Sequence, residues 1–276
     1  MHIRRIDSHV RIWYSRRYNV YSYGGKDLRH RKFPGILYDK KALSLKEKLP
    51  SALLETGNQS QYTLLASASR SANMDRHIQN FLKRKPDGVV IQLGCGLETT
   101  YDRNDNGQTQ WYAVDLPNII EYRRSLLPEP EKETYLSGDA FSDGCSGRSA
   151  GTCLIRLFWL LQEVCSITSR GKVLGLLQML KGFGNIELVF DTVNKSGMKM
   201  LQKKYMKQMG HENARMFFYV NSAEDLVTTL GRGVKVLADE PYYKFIKRDG
   251  LKIITKISMD VSDRFGMLKM LHLEWR

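Results

Sequence analysis

Cysteine and proline are scarce in this chain, and what is missing around the cysteines is informative. The 276 residues include four cysteines and seven prolines. The cysteines form no Cys-x-x-Cys pair and have no histidine at metal-ligand spacing, so we expect neither a disulfide framework nor a metal site. Reduced thiols are typical of a reducing compartment. The four residues are Cys95, Cys145, Cys153 and Cys165.

Long apolar runs are also missing. No segment approaches the roughly 18 to 20 consecutive apolar residues that a membrane-spanning helix needs. The first residues, Met1 to Arg5, are not followed by the apolar stretch of a signal peptide. We therefore expect a soluble cytoplasmic protein without a membrane partner. The length and the hydrophobic content of 42% suit a single domain over residues 1–276.

Acidic residues are outnumbered by basic ones, 29 against 43, which gives a formal net charge of +14. Such an excess suggests nucleic-acid binding, because lysine and arginine displace counterions from phosphates. However, 13 basic and 4 acidic residues fall in the first fifty positions. After them, positively and negatively charged residues alternate as on a solvated surface. We interpret the excess as an exposed basic N-terminal face, and an RNA-binding arm as the alternative. The chain has no basic groove interleaved with aromatics, so we expect no nucleic-acid partner.

Three short apolar runs are typical of buried parallel strands. Apolar residues at helical spacing between the runs predict helices over 64–85, 118–127 and 172–180. This alternation predicts an α/β fold of the Rossmann-like type, with a mostly parallel central sheet and helices on both faces. The three runs are Val89–Leu93, Trp111–Val114 and Ile186–Phe190.

The two ends of the chain differ from this middle part. Residues 1–60 are basic and rich in tyrosine, with helical periodicity only over 40–49, so we expect a cap over a core formed by residues 61–276. Near the C-terminus, we expect residues 252–258 and 268–274 to pair as a hairpin at the sheet edge.

A glycine-containing turn follows the first strand, from Gln92 to Glu98. Its glycines, Gly94 and Gly96, allow the backbone to approach a ligand where a Cβ atom would collide. Because a third glycine is missing, the turn fits the dinucleotide fingerprint poorly, and an ordinary loop is an equal alternative.

Two acidic residues strengthen the ligand interpretation. Asp115 ends the second strand about twenty residues after the turn, where a carboxylate can accept hydrogen bonds from ribose hydroxyls. The alternative for Asp115 is a helix N-cap. Asp139 lies in Gly138–Phe141, at the right distance after Asp115 to end the next strand, where it can accept a hydrogen bond from an adenine amino group. The alternative for Asp139 is an Asx turn.

Several motifs together resemble the leucine carboxyl methyltransferase family, in particular its bacterial branch similar to tetracenomycin-type polyketide O-methyltransferases. They are SRSANMDR from Ser69, VVIQLGCGLETTYDR from Val89, WYAVDLP from Trp111, GDAF from Gly138, EPYY from Glu240 and SDRFGMLKM from Ser262. The resemblance extends over about residues 60–143 and 172–276.

This resemblance implies O-methyl transfer from S-adenosylmethionine to a carboxylate or hydroxyl of a small molecule, as in polyketide biosynthesis. Arg70 matches the family arginine that holds the methionine carboxylate of the cofactor; without the resemblance it is a surface helix residue. The glycines are expected at the methionine and ribose, Asp115 at the ribose, and Asp139 with Ala140 at the adenine. The candidate cofactor site comprises Arg70, Gln92, Gly94, Cys95, Gly96, Asp115, Leu116, Asp139 and Ala140.

No catalytic residue is assigned, because an ionised carboxylate acceptor needs no general base and positioning with desolvation supplies most of the rate. His77 and His211 are accordingly interpreted as surface residues. The sequence does not identify the acceptor or the oligomeric state.

The segment from about Cys145 to Gly171 departs from the family pattern, which has a loop reading approximately ASAGGVFYYF there. Back-translation of Trp159–Ser169 permits LASAGGVFYYF in another reading frame. Our hypothesis is a compensated pair of insertions and deletions; natural divergence and a genuine insertion are the alternatives. The apolar run Leu154–Leu160 is then expected to replace the fourth strand. A second interpretation of the chain follows, namely a protein that binds the cofactor but is catalytically impaired.

Overall fold

The computed structural model describes residues 35–45, 48–49, 60–141, 157–161, 169–205 and 216–276, with only the backbone at 157–161 and 204–205. Helices and strands alternate along these ranges. The helices are α1 Lys40–Leu45, α2 Gln61–Arg84, α3 Thr100–Asn104, α4 Pro117–Leu126, α5 Arg170–Lys181, α6 Lys195–Met200, which a π-helical turn Leu201–Tyr205 extends, α7 Ala223–Leu230 and α8 Ile253–Arg264. The strands are β1 Val89–Leu93, β2 Gln110–Asp115, β3 Glu133–Ser137, β4 Leu157–Leu161, β5 Ile186–Val193, β6 Val234–Pro241 and β7 Leu268–Trp275.

The seven strands form one sheet in the order β3-β2-β1-β4-β5-β7-β6. Neighbouring strands among the first five in this order are parallel, whereas β7 runs antiparallel to both β5 and β6. The chain reverses its direction across the sheet at β1 and β4, which is the switch point where α/β proteins bind ligands. The predicted α/β fold with a mostly parallel sheet is confirmed.

The sheet divides the hydrophobic core into two clusters, one on each face, because successive side chains of a strand point to opposite faces. Val89, Ile91 and Leu93 belong to a cluster with buried residues of α5 and α7. Val90, between them, belongs to a second cluster with buried residues of α2 and α8. Successive strand residues point to opposite sides, so an apolar run such as VVIQL contributes to both clusters. Helices therefore cover both faces, as predicted.

The predicted C-terminal hairpin is wrong. Of residues 252–258, Lys252 is the N-cap of α8 and the other six lie in the helix, whose buried residues Thr255, Met259 and Ser262 repeat at helical spacing. The strand at this edge of the sheet is β6, in which half-buried and exposed residues alternate. β7 lies inside the sheet between β5 and β6, and seven of its eight residues are buried.

The expected replacement of the fourth strand is confirmed in its position, with shifted bounds. β4 covers Leu157–Leu161 and pairs in parallel with β1 and β5. The rest of the aberrant segment, residues 142–156 and 162–168, lies outside the described residues, as does Pro50. The helix expected over 40–49 ends at Leu45.

The strand register brings distant segments to one edge of the sheet. Leu93 of β1, Leu161 of β4 and Phe190 of β5 are paired side by side. The glycine turn and Asp191, which directly follow Leu93 and Phe190, are therefore at the same carboxyl edge. Two strand spacings, about 10 Å, separate them.

Candidate cofactor site

The turn after β1 has the backbone conformation that its glycines permit. Gly94 has φ of 69° and Gly96 has φ of 48°, both in the left-handed region that side chains other than glycine rarely adopt. The amide of Gly94 donates to the carbonyl oxygen of Val114 at 2.9 Å, so the turn is fastened to the end of β2. Cys95 is fully buried between the glycines.

Asp115 joins the turn through its carboxylate. Oδ2 accepts a hydrogen bond from the amide of Gly96 at 2.8 Å, and Oδ1 accepts one from the amide of Leu116 at 2.7 Å. The side chain is buried. Helix α4 has Leu116 as its N-cap residue and no side-chain capping bond, so the alternative role of Asp115 as an N-cap is not observed. The carboxylate instead binds the glycine turn, beside which the sequence places it as part of one ligand site.

Asp139 lies in the adjoining loop. The amide of Gly138 donates to the main-chain oxygen of Asp115 at 2.8 Å, which brings this loop beside the end of β2. The side chain of Asp139 is exposed, and its Oδ1 accepts a hydrogen bond from the amide of Phe141 at 2.9 Å. The Asx turn considered from the sequence is therefore formed, while Ala140 is half-buried beside it.

Arg70 is not the exposed residue that a surface helix would present. Its Nε donates to Oδ2 of Asp191 at 2.8 Å, and the two side chains are only 14% and 9% exposed. Gln92 is buried at the end of β1 and donates from Nε2 to the hydroxyl of Thr100 at 3.3 Å. The structure thus joins the glycine turn, Asp115, Leu116 and the Asp139 loop by hydrogen bonds, with Arg70 held on the far side of β4.

Arg123 is a buried residue that the sequence interpretation missed. From α4, its Nη1 donates to the main-chain oxygens of Gly96 at 3.1 Å and Glu98 at 2.7 Å. The side chain also reaches Glu133 at 3.3 Å and is fully buried. By holding these carbonyl groups behind the turn, Arg123 orients the peptide groups of the turn. Its position on the same helix face as the buried Ile119 and Ile120 is the signal that would have identified it.

A second buried arginine, Arg103, ties the cap to the same turn. It donates to both carboxylate oxygens of Asp75 at 2.7 and 3.0 Å and to Asp39 at 2.7 Å. Asp39 also accepts a hydrogen bond from the hydroxyl of Thr99 at 2.6 Å and from the amide of Ala42 in α1. Residues 35–45 are thereby fastened beside the glycine turn.

The electrostatics of Arg103 follow from these contacts. Burial by itself lowers the pKa of this guanidinium, but the carboxylates of Asp75, Asp39 and Glu98 outweigh burial and raise the pKa above its usual value. The arginine therefore stays charged and offsets part of the negative charge of these three carboxylates beneath the turn.

His77 is a correction to the sequence interpretation, because it is buried and does not lie on the surface. Burial, with the neighbouring charge of Arg76 and the ring of His272, lowers its pKa to about 3. Its Nε2 lies 3.1 Å from Nη2 of Arg76, on the side of α2 that faces β6 and β7. His211 lies outside the described residues.

The described part of the chain contains no helix long and apolar enough to span a membrane. In the same residues, no group of three or more histidine, cysteine, aspartate or glutamate side chains is arranged to hold a metal ion.

Comparison with known proteins supports the resemblance inferred from the motifs. No family model matches the chain. A segment of 61 residues is 41% identical to the tetracenomycin polyketide synthesis O-methyltransferase TcmP of Streptomyces glaucescens. This match covers 22% of the chain and 23% of TcmP, so less than a quarter of either protein is aligned.

Solved structures share the fold over most of the chain. A DUF574 family protein of Streptomyces avermitilis superposes with a TM-score of 0.58 and 10% identity, covering 91% of this chain and 97% of its own. A candidate methyltransferase of Thermobifida fusca superposes with a TM-score of 0.57 and 14% identity, covering 78% of this chain and 83% of its own. A SAM-dependent methyltransferase of Anabaena variabilis superposes with a TM-score of 0.50 and 12% identity, covering 75% of this chain and 87% of its own. At these identities the likeness establishes the fold: the chain has the Rossmann-like methyltransferase architecture.

Proposed function

We propose that this chain is an S-adenosylmethionine-dependent O-methyltransferase that transfers a methyl group to a carboxylate or hydroxyl of a small molecule. The observation that carries the proposal is the hydrogen bond between the Asp115 carboxylate and the amide of Gly96, which unites a left-handed glycine turn and a buried anion at the switch point of the sheet. The partial match to TcmP supports the same chemistry. In this proposal residues 1–276 form one domain, with 1–60 as its cap and 61–276 as its cofactor-binding core.

The residues present fit the cofactor. A turn with two glycines at positive φ can receive the methionine and ribose closely, with Gln92 and Cys95 beneath it. In this proposal Asp115, together with Leu116, holds the ribose, and the loop of Asp139 and Ala140 contacts the adenine. Arg70 is paired with Asp191 of β5, two strand spacings or about 10 Å from β1 and its turn, and in this proposal it holds the methionine carboxylate.

When bound, the cofactor supplies an electrophilic methyl group on a sulfonium. The chain itself contributes binding and orientation: Arg123 and Asp115 hold the turn from its two sides, and Asp191 fixes the guanidinium of Arg70. An ionised carboxylate acceptor needs no proton removed. Preorganisation of the two reactants and exclusion of water then account for the acceleration.

The test is calorimetric titration with S-adenosylhomocysteine beside a methyl-transfer assay on a panel of aromatic carboxylic acids and phenols. We expect saturable 1:1 binding and methylation of at least one acceptor. Absence of binding would contradict the proposal.

Binding without turnover would instead favour the second interpretation, a homologue that binds the cofactor but is catalytically impaired. That interpretation is suggested by the departure of residues 145–171 from the family pattern. Sequencing the coding DNA of this segment tests its origin. A second reading frame that encodes GGVFYYF, bounded by insertions or deletions relative to related genes, supports the frameshift; codons that do not permit it exclude the frameshift.

A further inference from the structure

An apolar groove of about 580 Å³ lies at the carboxyl edge of the sheet, between the first turn of α2 and helix α8. Its position is fixed by a hydrogen bond from the amide of Lys252, before α8, to the side-chain oxygen of Gln61 in α2 at 2.9 Å. Its volume is within the range of small-molecule sites, about 300 to 1,000 Å³. Its lining includes Thr63, Met200, Ile254, Ile257 and Val261.

The wall formed by α8 is exposed although it is apolar. Ile254 is 67% exposed, Ile257 50% and Val261 41%. These residues recur at intervals of three and four, so they form one stripe on the helix. A continuous apolar stripe that lines a groove is a surface that gains free energy when a ligand covers it.

The base of the groove is polar. Tyr62 and Ser262 line it, and the ring of Tyr243 lies 5.6 Å from that of Tyr62. The hydroxyl oxygens of all three are buried and have no partner of strict hydrogen-bond geometry among the described residues; the hydroxyl of Tyr62 makes only weaker hydrogen bonds, to those of Tyr243 and Ser262. Ser262 is only 1% exposed and Tyr243 is fully buried. Two hydrogen bonds among three hydroxyls use only two of their three donors, so one buried O–H group is left that a ligand oxygen or water can accept from.

Burial raises the pKa of Tyr62, even though the neighbouring Tyr243 and Ser262 act to lower it. The pKa of Tyr243 is raised well above its usual value, again by burial first. Both phenols therefore remain protonated at neutral pH and are able to donate hydrogen bonds.

We propose that this groove binds an apolar molecule that carries a hydroxyl or carbonyl oxygen, with the apolar body along α8 and the oxygen at Tyr62 and Ser262, the two of these residues that line the groove. The groove opens at the same edge of the sheet as the glycine turn, and α2 carries Arg70 nine residues after Gln61, about 13 Å along the helix axis. The bound molecule is therefore the methyl acceptor. This last assignment rests on the function proposed above, whereas the binding of the molecule does not.

The experiment uses 2-naphthol as the probe and the full chain. Binding is measured by saturation-transfer NMR and by the fluorescence of the naphthol. Ile257→Lys should weaken binding about tenfold, because it places a charge against the apolar body. Ile253→Lys is the matched control: it is the same substitution on the same helix, at a residue that is 77% exposed and does not line the groove, and it should change the affinity less than about twofold.

A second pair of measurements tests the polar base. The double variant Tyr62→Phe/Ser262→Ala should weaken 2-naphthol about five- to tenfold, the loss expected for one hydrogen bond. It should leave 2-methylnaphthalene, which has no oxygen, unaffected. The site would be overturned if the double variant weakened both probes equally or if the two lysine variants had equal effects. It would also be overturned if naphthol binding did not saturate or if S-adenosylhomocysteine displaced naphthol.

Calorimetry with S-adenosylhomocysteine on the same variants separates this inference from the proposed function. Unchanged cofactor binding with no naphthol binding overturns the groove alone. Naphthol binding by a chain that does not bind S-adenosylhomocysteine supports the groove as a binding site and overturns its role as an acceptor site.

Discussion

Arg70 and Asp191 form a largely buried ion pair, 2.8 Å between Nε and Oδ2, that joins α2 to β5 across 121 positions of the chain. The pair has two separable roles in our interpretation. It neutralises a carboxylate at the edge of the sheet, and it sets the direction of a guanidinium proposed to hold the methionine carboxylate of the cofactor. Two variants distinguish these roles.

Arg70→Gln should lower the free energy of unfolding by about 2 to 3 kcal/mol, because the Asp191 carboxylate loses the hydrogen-bonded positive charge of Arg70. It should also weaken S-adenosylhomocysteine binding at least tenfold. The double variant Arg70→Gln/Asp191→Asn should regain most of the stability without regaining the affinity. Denaturation with urea and calorimetry measure the two quantities, and wild-type affinity in the double variant would show that Arg70 only stabilises the fold.

Asp115→Asn should weaken S-adenosylhomocysteine binding by about 1.5 to 3 kcal/mol, the scale of hydrogen bonds to a charged group. The substitution keeps the shape of the side chain but removes the negative charge. Asp87→Asn, at an exposed aspartate in the turn before β1, is the control and should bind like the wild type. Unchanged affinity of the Asp115 variant would contradict the placement of the ribose.

Arg123→Lys should reduce cofactor affinity although residue 123 is not placed against the cofactor. Lysine keeps the charge beside Glu133 but cannot reproduce the planar fork that reaches two carbonyl oxygens and that carboxylate together. We expect a loss of about three- to tenfold in S-adenosylhomocysteine affinity, equivalent to one hydrogen bond. Amide hydrogen exchange at residues 94–98 should accelerate in parallel. An affinity loss without faster exchange would indicate another cause.

The pH dependence of stability should reflect His77. The unfolded chain takes up a proton at this residue below about pH 6.5, whereas the folded chain, in which the pKa is about 3, does not. Stability is therefore fully present above pH 6.5 and falls as the pH drops towards 3, by up to about 1.4 kcal/mol per pH unit. The lowered pKa of Glu187, which His272 and Arg84 hold ionised against the effect of burial, acts in the same direction below about pH 4.5.

His77→Gln should flatten the dependence between pH 6.5 and 4.5, measured by urea denaturation, while Glu187 keeps its effect at lower pH. An identical slope in the variant and the wild type would exclude His77 as the titrating group.

Two glycine substitutions should have opposite effects. A Cβ atom at Gly197 would collide with the main-chain oxygen of Met267, so Gly197→Ala should destabilise the packing of α6 against the start of β7 by about 2 kcal/mol or more. Gly175 lies exposed within α5 and has no atom near the position of its Cβ, so Gly175→Ala should stabilise by about 0.5 to 1 kcal/mol. Thermal unfolding measures both. A Gly197→Ala variant as stable as the wild type would contradict the close packing.

Much of the fold could be predicted because its signals are local. The runs Val89–Leu93 and Ile186–Phe190 are strands in the structure, and the long helix before β1 is α2. The errors have local causes as well. The apolar residues at the start of α8 were interpreted as a strand, since a short apolar run does not by itself distinguish the periodicity of a helix from that of a strand. The edge strand β6 was missed because three of its eight residues are charged and none of the eight is fully buried, so no long apolar run marks it.

The candidate site divides in the same way. Gly94, Gly96 and Asp115 were identified from their positions after strands, and those positions follow from the chain alone. In contrast, nothing in the vicinity of Arg123 in the sequence indicates that it lies against Gly96, and the burial of His77 results from contacts with strands that are distant in sequence.

The sequence by itself determined the alternation of strands and helices, the glycine turn and the carboxylate that follows the next strand, because backbone conformation and periodic burial depend on neighbours a few positions away. Only the tertiary structure decided that Asp191 pairs with Arg70, that Arg103 gathers Asp39 and Asp75, and that three hydroxyls meet beneath an apolar groove. These contacts join residues from separate elements, and sheet register and helix packing, which are properties of the whole chain, bring them together.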